Sequence, residues 1–160
     1  MKRAAHGRKD RLIKEKRHDS YLSQTKFPEP TACSKCGVVF TNGRWAWKET
    51  TETAHKIICP ACKRQADNYP AGRIKLSGIF YQDHKNEILN LIQNVEKQEK
   101  QERPLERIMD IRSEKSMTMI TTTGIHVARR IGEALSRAYK GEYSINYANG
   151  DDQIQVTWHR

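Results

Sequence analysis

A chain of 160 residues with 36% hydrophobic and 30% charged residues and a formal net charge of +10 falls below the roughly 45–50% apolar share usual for compact domains. That excludes one large core running through the whole sequence, and no run approaches the ~18 consecutive apolar residues of a membrane span. The positive excess is not laid along an apolar stripe, so it points to a polyanionic partner, nucleic acid ahead of a membrane surface.

Residues 1–32 read as a basic tail and linker. Between Met1 and His18, Lys2, Arg3, Arg8, Lys9, Arg11, Lys14, Lys16 and Arg17 face only Asp10 and Glu15, a net of +6. A block with so little to bury is expected to stay disordered until phosphates neutralise it. A solubilising tail is the alternative reading of the same composition. Phe27-Pro28-Glu29-Pro30 then reads as an extended linker. The tail lacks the apolar stretch of a secretory signal, so a reducing, cytoplasmic compartment is expected.

Residues 33–82 hold all four cysteines, as Cys33-Ser34-Lys35-Cys36 and Cys59-Pro60-Ala61-Cys62. Two C-x₂-C turns at this separation match the spacing at which four thiolates clasp one tetrahedral zinc. Four thiolates leave no open coordination position, so one structural Zn²⁺ is expected. Disulfides are the competing reading and need an oxidising compartment; a redox dithiol needs one pair in a βαβ setting. His55 is a conceivable rival ligand, read as a surface residue. Gly37 suits the turn after the first pair and Pro60 stiffens the second. Val38–Thr41 and Arg44–Trp47 flank Asn42-Gly43, a strong hairpin signal, and a third strand is placed at about Lys56 to Ile58. The pattern is that of a zinc ribbon.

Along the second hairpin strand, Arg44, Trp45, Trp47 and Lys48 alternate basic with aromatic. Trp45 and Trp47 share a strand face, either as a stacking platform with Arg44 and Lys48 on phosphates or as cover for the small metal module. Lys63, Arg64 and Arg73 continue the basic theme. Ile74 to Tyr81 reads as a strand interrupted at Gly78, which closes this region.

Residues 83–104 are predicted as a helix capped by Asp83 and ended by Pro104. Ile88, Leu89, Ile92 and Val95 form its apolar stripe. Beyond them, residues 96–102 are all polar, so the second half is expected to project or link. Residues 105–160 read as ββαββ, a four-stranded antiparallel sheet under one helix, giving an α+β architecture overall. Its first strands are Arg107 to Arg112, with Met109 and Ile111 on one face, and Ser116 to Thr122, with Met117, Met119 and Thr121 on one face. A helix capped by Thr123 runs to Lys140, with Gly141 at its C′ position. Tyr143 to Tyr147 and Gln153 to Trp158 complete the sheet. Thr121-Thr122-Thr123 with His126, Arg129 and Arg130 reads either as a phosphate-binding corner or as a capped helix with a solvated charged face.

No nucleophile and base, no Walker loop and no paired carboxylates stand in motif context. Asp110 is the one carboxylate placed centrally in a predicted strand. The expectation is a protein that is not an enzyme.

The basic tail, the C-x₂-C-G turn, the Trp-rich hairpin, the C-P-x-C turn and the run Thr121-Thr122-Thr123-Gly124-Ile125-His126-Val127-Ala128-Arg129-Arg130-Ile131-Gly132 resemble a small bacterial zinc-ribbon family. That family is similar to the amino-terminal region of the archaeal and eukaryotic large-ribosomal-subunit export adaptor. The resemblance to the bacterial family covers almost the whole chain; to the adaptor it covers the cysteine region and, more weakly, the threonine corner. The adaptor has further cysteine pairs and domains that this chain lacks, so export is not carried over. The resemblance implies binding to large-subunit rRNA, in contact with ribosomal proteins, in assembly, quality control or hibernation. Cys33, Cys36, Cys59 and Cys62 would be metal ligands, with His126, Arg129 and Arg130 as candidates for rRNA contact. No membrane or small-molecule partner is implied. A zinc ribbon contacting DNA or a polymerase, and a protein-interaction module, are the competing classes.

Overall fold

The computed structural model describes Tyr21, residues 27–148 and residues 153–160. The eight basic tail positions from Lys2 to Arg17 lie outside the described residues. The elements follow as β1 (Thr31–Cys33), β2 (Val39–Thr41), β3 (Arg44–Ala46), β4 (His55–Ile57), α1 (Pro60–Ala66), β5 (Gly72–Ser77), α2 (Ile79–Asp83), α3 (Lys85–Glu102), β6 (Ile108–Glu114), β7 (Met117–Thr122), α4 (Ile125–Tyr139), β8 (Glu142–Ala148) and β9 (Gln153–His159).

The first four strands form one small sheet in the order β3-β2-β1-β4. Its β2–β3 hairpin turns at Asn42 and Gly43, with φ of 53° and 76°, the double left-handed geometry that Asn-Gly accepts. Two features depart from the ribbon expected. The strand before the second cysteine pair joins β1 in parallel, not the hairpin. The second pair opens a helix, with Cys59 at the N-cap and Pro60 in the first turn, where proline's missing N–H costs nothing. The cysteine module is therefore a knuckle, a hairpin and a helix N-terminus. Thr31 and Ala32, placed in the linker by sequence, are buried strand residues.

The larger sheet has five strands in the order β6-β7-β5-β9-β8, correcting the four-stranded antiparallel sheet expected from residues 105–160 alone. β5, grouped by sequence with the cysteine region, sits at the centre, antiparallel to β7 and parallel to β9. Ile74 and Leu76 are fully buried there, and a strand that buries one face and pairs on both edges belongs in the middle of a sheet. It ends at Ser77 because Gly78, at φ 109°, turns the chain where an added Cβ would land on the Arg160 carbonyl. Ile79, Phe80 and Tyr81 are accordingly helical instead of strand. Tyr81 is buried, with its hydroxyl on that of Thr118. Asp83 closes α2; the next helix starts at Lys85 with His84 as N-cap.

Helices α3 and α4 cover one face of this sheet. Ile88 and Ile92 from α3, and Val127, Ile131 and Leu135 from α4, meet Ile74, Leu76, Ile120, Ile154, Val156 and Trp158. Each such fully buried side chain stabilises by about 1.5–3 kcal/mol relative to exposure. A register shift between Ile108 and Asp110 puts Ile108 and Ile111, not Met109 and Ile111, against the core, since a bulge re-aims the residues on either side of it. Met117, Met119 and Thr121 share the opposite face as expected, alternating with buried Thr118, Ile120 and Thr122. The polar half of α3 does not project. Glu96 accepts a bond from the Ile108 N–H at 2.9 Å, and Glu99 is buried against α4 by its ion pairs.

Candidate metal centre and basic surface

The first cysteine turn closes by hydrogen bonds from the Gly37 N–H to the Cys33 carbonyl (3.0 Å) and from the Cys33 N–H to the Val38 carbonyl (2.8 Å). The Ser34 N–H, donating to the Ile57 carbonyl at 2.8 Å, fastens that turn to β4, two residues before Cys59. The Cys59 N–H then points at Cys33 Sγ (3.3 Å) and the Cys62 N–H at Cys59 Sγ (3.4 Å). These backbone donors stabilise sulfur in its charged form.

All four Sγ atoms lie within 4.8 Å of one another, with Cys36 and Cys59 at 3.8 Å. A tetrahedron with metal–sulfur bonds of about 2.3 Å has edges near ~3.8 Å, so the residues fit one four-coordinate ion. A disulfide needs ~2.05 Å, and all four cysteines are free. His55 is exposed on β4 and stands outside the sulfur group. Burial works against the Cys33 thiolate, yet the N–H groups of Cys59, Cys36 and Lys35 outweigh it and bring the thiol down to about 6. Burial and the neighbouring sulfur charges push Cys59 up, and burial pushes Cys62 up.

One partner of this centre had no signal in the sequence. Arg107, buried in the link between α3 and β6, donates from Nη2 to Cys36 Sγ (3.1 Å) and from Nη1 to Cys62 Sγ (3.5 Å), while its Nε holds the Pro104 carbonyl at 2.7 Å. Burial disfavours its charge, but the sulfur hydrogen bonds and charges raise its pKa overall. A divalent ion on four thiolates carries a net charge of −2, and a guanidinium beside it offsets half of that. Arg107 lies 71 positions from Cys36, and no local pattern marks it.

The two indoles part company. Trp45 is half-buried in edge-on contact with Phe40 and Phe27, ring centroids 5.3 and 5.5 Å away, as cover for the cysteine module. Trp47 donates from Nε1 to the Lys100 carbonyl at 2.8 Å and lies 5.6 Å from the Arg107 guanidinium, which seats the cysteine module on the larger one. Arg64 is buried, donating to the Tyr69 carbonyl at 3.1 Å and stacking 4.3 Å from the Tyr21 ring. It holds structure instead of presenting charge.

The threonine corner is filled from within. The Thr123 hydroxyl accepts from the Arg107 N–H (2.9 Å) and reaches the Leu105 carbonyl (2.6 Å), so it does not cap α4. The Glu106 carboxylate instead accepts from the Val127 N–H at 3.0 Å. It occupies the position a phosphate would take at a helix N-terminus. His126 and Arg130 both contact Glu99, at 3.0 and 3.2 Å, with Arg103 at 3.1 Å on the same carboxylate. Arg129 is exposed, as are Arg44, Lys48, Lys63 and Arg73, and none of these five makes an ion pair among the described residues. Asp110 is exposed on the uncovered sheet face beside Arg112, 3.3 Å away.

No family model, no curated protein and no solved structure matches the chain. Among the described residues no helix is long and apolar enough to cross a membrane.

Proposed function

We propose that this is a zinc-stabilised RNA-binding protein that docks on the large ribosomal subunit and acts in assembly, quality control or hibernation. The carrying observation is the division of charge just described. Glu96, Glu99 and Glu106 turn inward as acceptors, whereas Arg44, Lys48, Lys63, Arg73 and Arg129 remain exposed and unpaired among the described residues. Phosphate binding needs cations not already spent on carboxylates. The sequence resemblance supplies the ribosomal destination, and the four thiolates supply the zinc preference, since soft sulfur ligands in a tetrahedron suit that ion.

The test is sedimentation of ribosomes with the purified protein. Co-migration with large subunits or whole ribosomes, retained at moderate salt, supports the reading. Substituting Cys33 and Cys36 by serine should abolish it, because the apparent binding free energy of structural zinc, about 10–16 kcal/mol, is folding free energy for the module it closes. Migration only with free protein, beside tight binding to duplex DNA, would replace this reading with a transcriptional one.

A further inference from the structure

The larger module reaches into the cysteine cluster, and the cysteine module reaches back. Arg107 belongs to the segment that joins α3 to β6, yet its guanidinium ends on Cys36 and Cys62. Leu105 of the same segment packs against the cysteine cluster, while the segment's backbone is bonded to its own module: the Arg107 N–H to Thr123 Oγ1, and the Thr123 N–H to the Arg107 carbonyl at 2.8 Å. In return, Trp47 leaves the hairpin to bond the Lys100 carbonyl and to flank the same guanidinium. The guanidinium spans both cysteine turns, 3.1 Å from Cys36 Sγ of the first and 3.5 Å from Cys62 Sγ of the second, so whatever gathers the four sulfurs also sets what Arg107 holds. With the ion bound, four thiolates surround it and the contact is charge-assisted.

We propose that metal loading of the Cys₄ site and seating of the cysteine module on the α+β module form one linked equilibrium, with Arg107 as the coupling residue. The inference rests on the metal reading of the cysteines. Linkage is reciprocal: the ion tightens the junction, and an intact junction tightens the ion.

Two measurements on the full chain test this. The first is hydrogen exchange before and after zinc is stripped by a high-affinity chelator. The amides of Glu106, Arg107 and Thr123, all bonded within the α+β module, should lose protection together with the cysteine module, while those of β5 and β9 keep theirs. The second is zinc affinity by chelator competition. R107Q should bind zinc about 10–100-fold more weakly, the range found when outer partners of metal ligands are removed. W47A should weaken it in the same direction although Trp47 is bonded to Lys100 and not to sulfur.

Unchanged exchange at Glu106 to Thr123 on zinc removal overturns the coupling, and this arm uses the native sequence, so it stands even where R107Q fails to fold. A weakened R107Q beside an unchanged W47A reduces Arg107 to a local counter-charge and overturns it equally. A native protein that binds no zinc sinks the metal reading itself, which separates that failure from this one.

Discussion

Glu106 occupies the space where any residue other than glycine at position 124 would place its Cβ. An added carbon there would land on the Glu106 carboxylate oxygens, while the backbone at Gly124, φ −135° and ψ 151°, suits any residue. The glycine is needed for room, and the room lets a distant carboxylate serve as the N-terminal cap of α4. Gly124→Ala should therefore cost about 1–2 kcal/mol through displacement of that cap. Glu106→Ala should cost a similar amount. The double variant should fall short of the sum by ~1 kcal/mol, because both changes remove one interaction; additive costs in denaturant melts would refute the relationship.

Burial raises the Glu106 carboxyl above its ordinary value of 4.5, against the opposing pull of the Val127 N–H. A raised folded-state pKa means the native protein binds its proton more tightly than the unfolded chain does. Its contribution to stability is then fully present below 4.5 and fades as pH rises through the folded value. Glu106→Gln keeps an acceptor for the helix and removes the titration, so it should flatten this part of the pH–stability curve and gain ground relative to the native protein toward neutral pH. A curve of unchanged shape in E106Q would count against the assignment.

Zinc uptake at pH 7 should release protons. Cys33, at about 6, is already largely ionised, whereas Cys59 and Cys62 are held up as thiols by burial and must deprotonate to ligate. Titration of the metal-free protein with zinc in weak buffer with a pH indicator should show at least two protons per ion. Affinity should fall steeply with acid, and release of fewer than one proton would contradict the ligand set.

Arg129 and Arg130 are neighbours in sequence with opposite assignments. Arg130→Ala removes one of the two arginines on the buried Glu99 carboxylate. Since Arg130 is half exposed, the cost is discounted to about 1 kcal/mol. Arg129→Ala should leave stability within ~0.5 kcal/mol yet weaken RNA binding and lower the salt slope by about one unit. Thermal melts and RNA titrations at several salt concentrations read the two effects separately. Equal binding by R129A and the native protein would remove Arg129 from the RNA surface.

Local chemistry made part of this structure readable in the sequence. Paired cysteine turns announce a gathering of four sulfurs because the spacing is a ligand geometry, and Asn42-Gly43 announces its turn because few other residues tolerate those angles. The stripe of α3, with Ile88 and Ile92 buried, follows from apolar period. What could not be read depends on partners far along the chain. β5 looks like an appendage of the cysteine region until β9 pairs with it. The polar end of α3 looks solvated until Arg130 arrives to pair with Glu99, and hydropathy cannot register a carboxylate buried by charge. The threonine corner looks like a phosphate site because the residue filling it, Glu106, comes from a preceding loop, and Arg107 reaches the sulfurs through the same loop.

The parallel pairing of β5 with β9 sets an order on biosynthesis. Ser77 and His159 face each other across 82 positions, so a nascent chain exposes Ile74 and Leu76 on an unpaired strand edge until β9 has left the exit tunnel. All four cysteines precede it by far and can gather early, although Arg107, which completes their surroundings, follows Cys62 by 45 positions. An intermediate that has its cysteines but lacks β9 carries a sticky, incomplete sheet, the kind of species that draws chaperones.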